Sequence, residues 1–98
     1  MPRLSAYDEL LVTKLMGYTL SRLDAIPKLN QGRSAVLDGD KQLARKLFSR
    51  VVNVAACDYQ RDREKLSFRP SIRDVVVDRI IAATEMSAED YASILRDK

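Results

Sequence analysis

The chain has 98 residues, 46% hydrophobic and 32% charged, with three Gly, three Pro and no His, and a net charge of +3. That composition suits one globular domain with its own core, and it excludes a multidomain enzyme, a collagen-like fibre and a disordered tail. Without His, the chain lacks the side chain most used for proton transfer near neutral pH and the commonest transition-metal ligand.

The opening Met1 to Ser5 leads into no apolar stretch of signal-peptide length, because Asp8, Glu9 and Lys14 interrupt it. Uncharged runs such as Leu15 to Ser21 fall far below the ~20 apolar residues of a membrane span. No membrane crossing is expected, and the expected compartment is the cytosol. From Ala6 to about Ile26 the pattern is helical: Ser5 is a good N-cap, Asp8 stands where a capping box needs it, and Pro27 forbids easy continuation. Tyr7, Leu11, Leu15 and Tyr18 make one apolar face, with Val12, Met16, Leu20 and Leu23 beside it, leaving Glu9, Thr13, Gly17, Ser21 and Asp24 for water. So broad an arc needs neighbours on two sides. This helix is therefore expected to be either the central helix or one side of a homodimer seam, with Tyr7, Leu11, Leu15 and Tyr18 as the self-association or partner-binding face. The plainer role for those four is packing inside the chain's own domain.

From Pro27 to Asp40 the periodicity stops. Pro27, Asn30, Gly32, Ser34 and Gly39 are breaker and turn residues at close spacing, which predicts a linker over about 27–40 with at most a short turn around Ala35 to Leu37. The Asp38-Gly39-Asp40 turn lacks the further oxygen ligands of a calcium loop.

Asp38 or Asp40 then caps a second helix reaching to about Lys65. Leu43, Ala44, Leu47, Phe48, Val51, Val52, Val54, Ala55 and Tyr59 fall within half of its circumference. The other half carries Lys41, Arg45, Lys46, Ser49, Arg50 and Asn53, with no acid between Lys41 and Cys57. An ordinary exposed helix intersperses Glu with Lys and Arg, since such pairs stabilise it by about 0.2–0.5 kcal/mol each. Residues 41–69 hold eight basic against three acidic groups, the whole of the chain's basic excess, whereas 1–40 is balanced and 70–98 is net acidic. Cys57 has no second cysteine to pair with, so the fold needs no oxidising compartment. With no His to act as base it reads as a buried or half-buried small hydrophobe. Asp58 and Asp62, set among Arg61, Arg63 and Lys65, read as salt-bridge partners.

Pro70 suits the first position of a third helix, and Ser71 with Asp74 repeats the capping-box spacing. Ile72, Val76, Ile80 and Ala83 line one face, widened by Val77 and Ile81, with Asp74, Asp78 and Ala82 opposite. The β-branched run favours a strand, but periodicity and caps outweigh it, and a lone strand would find no partner in this chain. Ser87, with Asp90 at the capping-box position and Met86 and Tyr91 as a hydrophobic staple, opens a short final helix from Ala88 to Arg96 that turns back on the third. That corner is no DNA-binding motif, because Glu89 and Asp90 at the start of the second member would repel phosphates.

These elements predict one all-α domain over 1–98, a small bundle of three main helices plus a short C-terminal helix. Tyr7, Tyr18, Tyr59 and Tyr91 are expected in the core with their hydroxyls at its rim. No nucleophile-base pair, metal-ligand set or cofactor loop is present in the sequence, so no enzymatic activity, metal or cofactor is expected. The expected function is a non-enzymatic regulator or adaptor. It would bind a protein with an acidic, partly apolar surface through the apolar face of the first helix and the basic ridge Lys41, Arg45, Lys46, Ser49, Arg50 and Asn53. The alternative is a nucleic-acid module that contacts the phosphate backbone through the same ridge; it lacks the interleaved aromatics of single-strand binders. A solvated helix face is the plainer role for those charges.

Overall fold

The computed structural model describes residues 4–62 and 68–85 together with Glu89, Asp90 and Ser93. It is all-α. Helix α1 spans Ala6–Ser21, α2 Ile26–Leu37, α3 Lys41–Asp62 and α4 Pro70–Thr84, and no strand occurs among the described residues.

Ser5 caps α1 as its residue type predicts: it sits in extended conformation, and its hydroxyl accepts the Asp8 N–H at 3.1 Å. The helix stops five residues short of the expected Ile26, and Pro27 is the reason. A helix running through Pro27 would leave the Leu23 carbonyl without its donor and drive the proline ring into it. The chain instead turns extended at Arg22 and makes one 3₁₀ turn, Leu23–Ala25, in which the Ile26 N–H serves the Leu23 carbonyl. It then starts α2 with Pro27 in the first turn, where a missing N–H costs nothing.

The linker expected over 27–40 is thus a helix for most of its length. Asn30, Gly32 and Ser34 are poor helix formers, but each deficit is at most about 1 kcal/mol, and burying a Leu or Val side chain returns about 1.5–3 kcal/mol. Leu29, Ala35 and Val36 are buried at helical spacing. Gly32 is buried with them because the Phe48 ring lies where its Cβ would be. The helix ends in a Schellman arrangement: Gly39 has φ +84°, its N–H reaches the Val36 carbonyl at 3.0 Å, and the Asp40 N–H reaches the Ala35 carbonyl at 2.8 Å.

Asp40 caps α3, its carboxylate accepting the Leu43 N–H at 3.1 Å. Ala44, Phe48, Val51, Val52, Ala55 and Tyr59 are buried as expected and Ala56 joins them, but Leu47 is only half-buried and Leu43 and Val54 remain 45% and 53% exposed. They lie at the margins of an apolar half-circumference wider than the neighbouring helices cover. The described part of α3 ends at Asp62, so the extension to Lys65 falls outside the described residues. In α4 the stripe Ile72, Val76, Val77, Ile80 and Ala83 is buried, and the helix forms despite its β-branched content. Ser71 does not cap it; the helix begins at Pro70, and the Ser71 hydroxyl accepts from Arg69 Nε at 3.1 Å. Of the expected final helix only Glu89, Asp90 and Ser93 are described, each helical; its corner with Met86, Ser87 and Tyr91 lies outside the described residues.

The central helix is α3, which packs against α1, α2 and α4, while α1 also packs on α4. Their inner faces merge into one apolar cluster. Surface ions pin the first turn of α1 to α4: Arg69 donates to Asp8 at 2.7 Å, and Arg79 grips both oxygens of Glu9 at 2.7 and 3.1 Å. That two-pronged hydrogen bond holds the Glu9 carboxyl below the usual carboxylate range and Arg79 further toward its charged form. A carboxyl whose pKa is lowered by folding contributes stability above its unfolded value and loses it as protons bind. The melting-temperature gap between wild type and Glu9→Gln should therefore narrow as pH falls below about 4. It should shrink with added salt at neutral pH as well. A gap indifferent to both would show that the pair contributes nothing.

Candidate functional site

The apolar face expected on the first helix is not a free surface. Leu11 and Leu15 are 2% and 0% exposed and belong to the chain's own core. Tyr18 is half-buried, its ring edge-on to Tyr59 at 5.2 Å with the Arg22 guanidinium 5.7 Å from its centroid. Tyr59 meets Phe68 in the same way at 5.5 Å. Tyr7 departs from expectation in the other direction: it is 58% exposed rather than in the core. Neighbours on two sides do exist for α1, supplied by α3 and α4 of the same chain, so its breadth of apolar surface calls for no second copy.

The basic ridge divides. Lys41 lies 3.6 Å from Glu85, Arg45 is ion-paired with Asp78, and the Asn53 side-chain oxygen accepts from Arg73 at 3.1 Å. Ser49 joins Asn53, Arg73 and Asp74 in lining the cleft between α3 and α4. The acids missing from α3 are thus supplied by α4 and the residue after it, across space rather than at i,i+4. Lys46 and Arg50 are exposed and have no acidic partner among the described residues, and Arg50 lies on the α2 side.

A different feature lies on the α2 side of α3. Leu43, Leu47, Arg50 and Val54 recur at i, i+4, i+7 and i+11, which places them in one stripe. Facing them, the 3₁₀ turn and α2 present Ala25, Lys28, Gln31, Ala35 and Asp38 at three- to four-residue spacing. Between the two stripes the α2–α3 seam holds two separate depressions, one at Ala25, Lys28, Arg50 and Val54, the other at Ala35, Asp38, Leu43 and Leu47, and the seam that runs from one to the other is the α2–α3 groove. Its floor is apolar, because Val51 and Ala35 close it from below. At the first end Arg22 donates to Asp24 at 3.0 Å and also pairs with Asp58, which accepts from Arg61 at 2.9 Å. Hydrogen bonds that Arg22 donates to Asp24, then to Asp58, hold it further toward its charged form, and Arg22 in turn lowers the Asp24 pKa. Asp24 is thereby matched, and Lys28 and Arg50 leave that end positive.

Of the residues singled out in the ridge, the groove uses Arg50 alone. Leu43, Leu47 and Val54 were legible as the apolar half of the second helix, whereas Lys28, Gln31, Ala35 and Asp38 were hidden in the stretch read as a linker, although Leu29 and Val36, at i and i+7, already carried a helical signal there. Cys57 is exposed rather than buried or half-buried, on a face of α3 that no other described helix covers. Asp58 does take the salt-bridge role expected of it. Among the described residues no three His, Cys, Asp or Glu side chains converge as metal ligands, and no helix is long and apolar enough to cross a membrane. The chain matches no protein-family model, no curated protein and no solved structure.

Proposed function

We propose that this chain is a small non-enzymatic adaptor or regulator that binds another protein, and that the α2–α3 groove, rather than a face of α1, receives it. The observation that carries the reading is a contrast within one helix. On the α4 side of α3 Lys41 and Arg45 meet acids, whereas on the α2 side Arg50, with Lys28 across the seam, has no acidic partner among the described residues and stands beside exposed Leu43 and Val54. A partner that is partly apolar and acidic would cover the leucine and valine and match the charges. The pairing of Lys41 and Arg45 with Glu85 and Asp78 weighs against the alternative of a nucleic-acid module, since it leaves few cations to neutralise phosphates.

The test is affinity capture with the tagged full chain. A protein retained by wild type and by Tyr7→Ser should be lost with Arg50→Glu and with Leu43→Asp, all four chains melting alike because these positions are exposed. Recovery of nucleic acid alone, or of a protein whose retention ignores the groove substitutions, would overturn the reading.

A further inference from the structure

Resting on that reading, we infer that the segment seated in the groove is an amphipathic α-helix of the partner, about three turns long, with its acidic residues at the end facing Lys28 and Arg50. Three features of the groove select a helix. Its walls are α-helices, whose backbone donors and acceptors are used internally, and the described residues contain no strand, so an extended peptide would find no edge to pair with. The residues lining the groove include no aromatic side chain, which a polyproline segment needs to dock against. Leu43, Leu47 and Val54 repeat at the i, i+4, i+11 spacing with which a second helix places its own ridge residues. From Leu43 to Val54 the stripe is about 16 Å long at the ~1.5 Å rise of a helix, so a partner of about eleven residues would match it end to end.

Charge sets the polarity of the occupant and favours a partner richer in acids than a second copy. One end of the groove carries Lys28, Arg50 and the start of α2, the positive end of that helix; the other carries Asp38. An antiparallel second copy would set Lys28 and Arg50 of one chain against Asp38 of the other, one carboxylate for two cations. A partner helix with several acids at one end matches that end more fully.

The test uses two synthetic peptides of about fourteen residues. They share leucines spaced i, i+4, i+7, i+11 and glutamates at one end, but in the second one central residue is replaced by a proline that breaks the helix. Titrated into the isotopically labelled full chain, the helical peptide should shift amide resonances of 28–38 and 43–54 and bind at least about tenfold tighter than the broken one. Arg50→Glu should weaken it about tenfold, since the substitution turns an attraction at that end into a repulsion. Equal binding of both peptides in the groove would overturn the helical assignment while leaving the protein-binding reading intact. Shifts confined to another face, or no shifts, would also overturn the assignment; affinity capture, which uses neither peptide, decides the broader reading separately.

Discussion

Leu15→Asp should leave the chain unfolded rather than merely unable to self-associate. Leu15 is fully buried between α1 and its neighbours, so the substitution removes a core side chain and puts a carboxylate where no cation waits. Losing the side chain alone costs about 2–5 kcal/mol, and burying an unpaired carboxylate adds several more, against a total stability of about 5–15 kcal/mol for a domain. Circular dichroism at neutral pH should show loss of helix at all concentrations. A folded monomer from this variant, together with a wild-type dimer, would restore the α1 face as an interface and refute its place in the core. Leu15→Ala supplies the graded control: it should fold with a lower melting temperature and an unchanged association state.

The second large effect is expected where α2 crosses α3. Phe48 is fully buried, and its ring occupies the space a side chain at position 32 would need: a Cβ on Gly32 would collide with Phe48 Cε1 and Cζ. Phe48→Ala should cost about 3–5 kcal/mol through lost burial and the cavity left behind. Gly32→Ala probes the same contact from the other side. In an open helix that change stabilises by roughly 1 kcal/mol, but here the ring must move inside a packed core, at a cost of about 1–3 kcal/mol. Denaturant unfolding should therefore show net destabilisation, and Gly32→Ala combined with Phe48→Leu should be more stable than the two single costs added together, because a leucine vacates the ring's outer edge. Stabilisation by Gly32→Ala alone would mean that the two helices do not approach as closely as described.

How far residue pattern reached can be read from the helices themselves. Wherever a strong apolar period coincided with a cap or a proline, the element was visible: Ser5 before α1, Asp40 before α3, Pro70 and the Ile72 to Ala83 stripe of α4. These are local signals, carried by side chains that satisfy nearby backbone groups or repeat at the helical interval. Helix α2 escaped because its local signals point the other way. A glycine in mid-helix looks like a break until the ring that requires it is in place, and that ring belongs to a residue sixteen positions further along the chain.

The surface follows the same division. Composition and periodicity determined an all-α chain with a basic middle and a core drawn from α1, α3 and α4, because burial of apolar side chains imposes its interval on the residues that must face inward. Which cations would be answered and which left over depended on distances between helices. Asp78 and Glu85 reach Arg45 and Lys41 only once α4 lies along α3, and the α2–α3 groove comes into being only when Ala25 to Asp38 folds against Leu43 to Val54. A one-dimensional pattern reports what each helix wants to hide; the neighbour that hides it, and the surface then left uncovered, are decided by packing in three dimensions.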